Sequence, residues 1–139
     1  MCTAGGWTAN NDDTNPWIQA NFDGLKTVSS ITTQGRDDAP LWVTSYTVAY
    51  TDDAGATWHN VTDSSGSNTM TFTANTDKST AVTNSMPDGV VATSVRLWPV
   101  TWNRRIAMRL MVQGCDYVGK CLIICVQTII IADKFSGVA

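Results

Sequence analysis

The feature that most constrains the fold of this chain is the alternation of β-branched or aromatic residues with polar residues in short segments. Successive side chains of a β-strand point to opposite faces, so such alternation is typical of strands that bury one face. No segment has the 3.6-residue period of an amphipathic helix. The strand-like segments are residues 17–22, 28–33, 45–50, 70–72, 95–98 and 106–113.

Clusters of turn-forming residues separate these segments. Asp, Gly, Ser and Pro favour tight turns through their side-chain hydrogen bonds or their backbone angles. The clusters lie at residues 22–24, 52–55, 64–67 and 87–89. Short strands joined by turns predict an all-β fold, an antiparallel β-sandwich or barrel. A length of 139 residues is that of a single domain with a sizeable core.

The last strand-like segment predicts a buried face and an unusual arginine. Ile106, Met108, Leu110 and Val112 share one face, and Arg109 lies on the other. We expect Arg109 to be partly buried and paired with an acceptor, in a structural role.

The charge balance excludes some classes of partner. A nucleic-acid surface needs many cations to neutralise phosphates, whereas this chain has nine Lys and Arg against twelve Asp and Glu, a net charge of −3. We therefore expect no nucleic-acid partner. The one long apolar run, residues 122–131, is interrupted by Gln127 and is about half as long as the roughly 20 residues of a spanning helix. Any membrane contact is expected to be peripheral.

Four cysteines and one glycosylation sequon agree with export. If the protein is exported, the cysteines are disulfide candidates, and three full pairings are possible. They are Cys2, Cys115, Cys121 and Cys125. The spacing of Cys121 and Cys125, with a single His in the chain, is not that of a zinc site. Asn60 heads the sequon Asn60-Val61-Thr62, a candidate for N-glycosylation.

No pattern typical of catalysis is present in the sequence. His59 is the only histidine, and no Ser, Cys or carboxylate stands with it in a recognisable motif. The acidic pairs at residues 12–13, 37–38 and 52–53 are adjacent in turns, so none forms a spaced acid–base pair. Residues 52–55 have the chemistry of a hairpin turn. We therefore expect a protein that is not an enzyme.

Eight motifs of the chain, in order and in spacing, resemble the discoidin family, also called the coagulation factor V/VIII type C domain. They are Trp17-Ile18-Gln19, Thr33-Gln34-Gly35-Arg36, Trp42-Val43-Thr44-Ser45-Tyr46, Ala74-Asn75-Thr76-Asp77, Val95-Arg96-Leu97, Pro99-Val100-Thr101-Trp102, Ile106-Ala107-Met108-Arg109 and Gly114-Cys115. The resemblance implies a discoidin-like antiparallel β-sandwich, a jelly roll of the galactose-binding-domain kind.

The chain departs from the family at both ends. The family normally has a Cys, a first strand and a ligand-facing loop before the position of Trp7, so we expect residues 1–115 to form a domain without the usual first strand. The family normally stops near Cys115, whereas here an apolar tail, residues 116–139, follows. We expect residues 121–131 to act as a replacement strand, within one chain or by exchange between two chains in a dimer. The alternative is a disordered or aggregation-prone extension.

The resemblance also implies that three loops face the ligand. They are residues 8–16, residues 36–42, which form a protruding spike, and the loop around Trp102. The predicted ligand-binding residues are Thr8, Asp12, Arg36, Asp37, Asp38, Leu41, Trp42, Trp102 and Arg104. We expect Trp102, Asp12 and Arg36 to line one pocket. We expect no cofactor; the alternative is a calcium ion at Asp12 and Asp13.

The chemistry of these loops favours a sugar as the ligand. A Trp ring stacks on the C–H face of a pyranose, while Asp and Asn bond its hydroxyls. Family ligands include galactose-type sugars, anionic phospholipid head groups and proteins. The acidic loop at residues 10–13 opposes an anionic membrane. We expect an extracellular, secreted or cell-surface, lectin-like module for cell-surface or microbial glycans. Anionic phospholipid binding, and a protein-binding or adhesion module of a larger receptor, are the alternatives.

Overall fold

The computed structural model describes residues 6–116, 121–125 and 130–131, the last two segments by their backbone alone. These residues contain strands and no helix, and hence no helix able to cross a membrane. The strands are β1 (Trp7–Thr8), β2 (Ile18–Gln34), β3 (Trp42–Thr51), β4 (His59–Asn60), β5 (Phe72–Thr73), β6 (Val82–Ser85), β7 (Val91–Asn103), β8 (Ala107–Asp116), β9 (Cys121–Cys125) and β10 (Ile130–Ile131). Every pairing is antiparallel. The predicted all-β, antiparallel class is confirmed.

The long strand β2 connects the two halves of the sheet, whose strand order is β1-β8-β2-β7-β3-β4. Its first residues, through Asn21, pair with β7, and from Lys26 onward it pairs chiefly with β8. The register shifts between Asn21 and Lys26, and such an irregularity bends a strand and increases its twist. The turn predicted at residues 22–24 is wrong, because these residues lie inside β2 and form part of its bend.

The apolar core lies inside the curl of the sheet. The β2 and β8 half contributes Ile31, Leu110 and Val112, and the β3 and β7 half contributes Tyr46 and Leu97, each at most 2% exposed. A fully buried side chain of this size contributes about 1.5–3 kcal/mol, so contacts between the two halves dominate the stability of the fold.

Strand β8 confirms the predicted alternation around Arg109. Met108, Leu110 and Val112 are buried. Arg109 is half-buried on the other face, where Nε donates to the Gly35 carbonyl oxygen at 2.7 Å and Nη2 to that of Lys78 at 3.0 Å. These two hydrogen bonds therefore connect β8 to the segments that follow β2 and β5.

Two segments of the tail pair with the sheet of the same chain. β9 runs antiparallel to β8, with Cys121 opposite Cys115, and β10 pairs with Ile18 and Gln19 of β2. Cys115 is disulfide-bonded, but the side chains of the other cysteines, Cys2, Cys121 and Cys125, lie outside the described residues. The disulfide pairing therefore stays a prediction, as does the idea that the tail replaces a strand of the family fold.

Candidate ligand-binding site

Three loops meet at one end of the sheet. The first loop is residues 9–17, the second loop residues 35–41, and the third loop residues 104–106. At the ends of β3 and β7, Trp42 pairs with Asn103, which sets the second loop beside the third. Thr8 of β1 pairs with Ala107 of β8, which sets the first loop beside the third. Strand register therefore brings the three loops together.

Arg36 links the base of the second loop to β1. Its Nη1 donates to Thr8 Oγ1 at 3.0 Å, while Nε and Nη2 donate to the two carboxylate oxygens of Asp38 at 2.5 and 3.3 Å. The hydrogen bond from Arg36 is the main cause that lowers the pKa of Asp38, and Asp38 in turn raises the pKa of Arg36. The charge of Arg36 is thus balanced, and the side chain chiefly holds the loops in position.

Two residues of the β7–β8 turn complete this framework. Asn103 Nδ2 donates to the Pro40 carbonyl oxygen at 2.9 Å, and Arg105 Nη2 donates to that of Ala9 at 3.2 Å. Between them Arg104 adopts a positive φ of 63°, which is uncommon outside glycine and marks a tight turn. Neither Asn103 nor Arg105 was among the predicted site residues. Their role depends on which strands are neighbours, a fact that no local sequence pattern contains.

The second loop can close because residue 35 is a glycine. A Cβ atom on Gly35 would lie 2.7 Å from the Cα of Lys78 and 2.8 Å from the carbonyl oxygen of Leu41. The backbone nitrogen of Arg36 donates to this same oxygen at 2.9 Å. Only glycine allows three backbone segments to approach so closely, and this approach fixes the root of the loop.

Among the Phe, Trp and Tyr residues that the structure describes, Trp102 is the most exposed. Its side chain is 45% exposed, whereas every other Trp of the described residues is half-buried or buried. Val100, two positions earlier on β7, is 46% exposed, so the two form an apolar strip that leads to the loops. Leu41 and Trp42 of the predicted spike are half-buried and therefore less accessible.

The acidic side chains of the loops have different environments. Asp12 and Asp37 are exposed, and Asp13 Oδ1 accepts from the backbone nitrogen of Asn15 at 3.0 Å. In the described part of the chain, no group of three or more His, Cys, Asp or Glu residues is placed to hold a metal ion. Among the described residues, no hydrogen bond or ion pair joins Asp12 to Arg36 or Trp102. That the three line one pocket stays a prediction.

A second cluster covers the outer face of the sheet and includes Trp17, the last residue of the first loop. Arg96 Cζ lies 3.7 Å from the ring centre of Trp17 and 4.0 Å from that of Trp58. Gln19 Oε1 accepts from Nε and Nη2 of Arg96 at 3.0 and 2.8 Å, and burial lowers the pKa of this arginine. Cation–π contacts of this kind stabilise the packing of a side chain on its sheet. His59 lies nearby, with its ring 5.5 Å from that of Tyr50.

Comparisons with known proteins agree with this architecture. The profile of the F5/8 type C domain matches residues 3–112. Retinoschisin from Takifugu rubripes is 36% identical over 115 residues, which cover 83% of this chain and 40% of that protein. Bovine (Bos taurus) lactadherin is 36% identical over 111 residues, which cover 78% and 26%. The structure of discoidin II from Dictyostelium discoideum superposes with a TM-score of 0.69 at 32% identity, covering 78% of this chain and 40% of that one. The chain thus spans less than half of each of these relatives, and it belongs to the F5/8 type C (discoidin) domain family.

Proposed function

We propose that this chain is an extracellular, non-enzymatic recognition module that binds glycans through the three loops. The observation that carries the proposal is the exposed ring of Trp102, which stands where the loops meet. An indole face left in water is a costly apolar surface, and a ligand with a flat C–H face covers it. Pyranose sugars have such a face, with hydroxyls around its rim.

The loops offer polar groups that suit these hydroxyls. Asp12 and Asp37 are exposed carboxylates that accept hydrogen bonds, and Arg104 is an exposed donor. The bonds of Arg36 to Thr8 and to Asp38 already order the loops before a ligand arrives. Such preorganisation lowers the entropic cost of binding.

The charge of the loops favours glycans over anionic lipids. The first and second loops contain four Asp and one Arg, and the third loop adds Arg104 and Arg105, so the net charge of the three loops together is −1. An acidic surface is repelled by the negative potential of a phosphatidylserine-rich membrane, while a neutral sugar is unaffected.

Trp102→Ala tests the proposal. Loss of a stacked aromatic contact is expected to weaken glycan binding by about 1–3 kcal/mol, roughly 5- to 150-fold. The matched control is Leu25→Ala, since Leu25 is also exposed, at 39%, but lies in the bend of β2 away from the loops. Both variants and the parent chain are compared on a glycan array, followed by titration calorimetry with the best sugar.

The same samples are mixed with phosphatidylserine vesicles and with neutral vesicles. If the protein binds the phosphatidylserine vesicles but neither the neutral vesicles nor any glycan, the ligand of the loops is an anionic lipid rather than a sugar. An unchanged sugar affinity in a correctly folded Trp102→Ala variant contradicts the proposal, because it places the site away from Trp102.

A further inference from the structure

The sequon at Asn60 lies on an accessible strand. Asn60-Val61-Thr62 is the only Asn-X-Ser/Thr sequence with X other than Pro in the chain. The Asn60 side chain is exposed and makes no hydrogen bond within the described residues, while Val61 is anchored in the core at 2% exposure. The amide nitrogen of Asn60 is therefore free to be modified without any loss of packing.

Strand β4, which carries Asn60, is an edge of the sheet. Among the described residues it pairs only with β3, in the register Ala49 to Asn60 and Tyr50 to His59. Trp42, where β3 leaves the second loop, is seven positions from Ala49, about 23 Å along an extended strand. A glycan on Asn60 thus lies far from the three loops and leaves them open.

Trp58 lies on the same face of the sheet as Asn60. On β3, Ala49 has Asn60 on one side and Arg96 on the other, and Trp58 stacks on Arg96. Ala49 is only 4% exposed although it belongs to this outer row. Residues two positions apart on an extended chain face the same side, so a sugar on Asn60 has the Trp58 ring beside it.

We propose that Asn60 carries an N-linked glycan and that its first N-acetylglucosamine packs on the ring of Trp58. In the transfer, Asn60 Nδ2 forms a bond to C1 of the sugar of a lipid diphosphate-linked oligosaccharide. The bond from C1 to the diphosphate oxygen breaks, the lipid diphosphate leaves with the electron pair, and one amide proton goes to solvent. The donor and the transferase come from the secretory pathway. The glycan then covers a half-buried aromatic ring and blocks pairing of another chain to the β4 edge.

Occupancy is tested with the full 139-residue chain behind a secretion signal in a eukaryotic cell. We expect one glycan, read as a mobility shift that peptide N-glycosidase removes and as a mass change on the Asn60 peptide. Thr62→Ala, which keeps Asn60 and Trp58 but destroys the sequon, and Asn60→Gln should both abolish the shift. The shift is read in cell lysate as well as in medium, so that it does not depend on secretion. A parent chain that is unmodified in both fractions overturns the proposal.

The packing on Trp58 is tested by the melting temperature of protein trimmed to one N-acetylglucosamine, against unglycosylated Thr62→Ala protein. We expect the sugar to raise the melting temperature by roughly 2–5 °C, and to have no effect when both proteins also carry Trp58→Leu. The matched control is Trp17→Leu, because Trp17 stacks on the same Arg96 but belongs to the segment that leads into β2. In proteins that carry Trp17→Leu, the sugar should still raise the melting temperature. An equal stabilisation in both Trp variants shows that the sugar does not pack on Trp58.

Discussion

Single carboxylates organise the turns of this fold. Asp53, in the loop between β3 and β4, accepts hydrogen bonds at Oδ1 from Thr51 Oγ1 at 2.8 Å and from the Thr57 nitrogen at 2.9 Å. Its Oδ2 accepts from Thr57 Oγ1 at 2.6 Å. These bonds, that of the Thr57 hydroxyl first, lower the pKa of Asp53 to about 2. The hairpin expected at residues 52–55 is present, with Ala54 and Gly55 at positive φ.

We expect the stability of this hairpin to depend on pH through Asp53. A carboxyl whose pKa is lower in the folded than in the unfolded chain stabilises the fold above its unfolded pKa, near 4. That contribution is lost as the pH falls from about 4 through 2. Asp53→Ala should therefore lower the melting temperature at pH 7 and reduce its decline between pH 4 and 2. Melting curves at several pH values measure this.

The control for that experiment is Asp52→Ala. Asp52 is exposed and forms no hydrogen bond within the described residues, so its removal should leave both the melting temperature and its pH dependence unchanged. If Asp52→Ala and Asp53→Ala behave alike, general charge rather than the bonds to Thr57 governs the effect.

At the scale of elements, the bend of β2 decides how the sheet curls. Lys26 follows the register shift and is only 6% exposed. Its Nζ pairs with Asp23 Oδ1 at 2.7 Å and also with Asp116 of β8; its pKa is raised, chiefly by the hydrogen bond to Asp116. By local turn preference, the Asp and Gly of residues 22–24 predict a turn. Their place inside a strand follows from pairing with β7 on one side of the bend and with β8 on the other.

The contact of β8 with β2 requires a glycine at position 114. Gly114 pairs with Val28 beside a register shift, and a Cβ atom there would lie 2.3 Å from the carbonyl oxygen of Thr27. Gly114→Ala should therefore force the strands apart and cost about 1–3 kcal/mol. Gly24→Ala is the control, because nothing lies within 4 Å of its Cβ position, and we expect it to change stability by about 0.5 kcal/mol or less. Urea denaturation compares the two, and equal costs contradict the assigned register.

At the scale of the whole molecule, the pairing of β9 with β8 in the same chain predicts a monomer of 15.0 kDa. Deleting residues 119–139 should expose the edge of β8, lower the melting temperature by several degrees and promote aggregation, since unpaired edges recruit other strands. Analytical ultracentrifugation and melting curves of the full chain and of the truncated chain measure the oligomeric state and the stability. A dimer that dissociates on deletion indicates exchange of the tail between chains. An unchanged melting temperature and solubility mean that the tail is not part of the fold.

The sequence by itself determined the all-β class, the alternation of β8 and the hairpin after β3. Each follows from local chemistry, namely the two-residue period of a strand and the turn preferences of Asp and Gly. The tertiary structure alone decided that β2 is one bent strand and that Trp17 and Trp58 enclose Arg96. It also decided that Asn103 and Arg105 bind the loops together. The reason is physical: burial and long-range hydrogen bonds depend on which strands become neighbours, and that pairing is settled by the packing of the whole sheet rather than by any single segment.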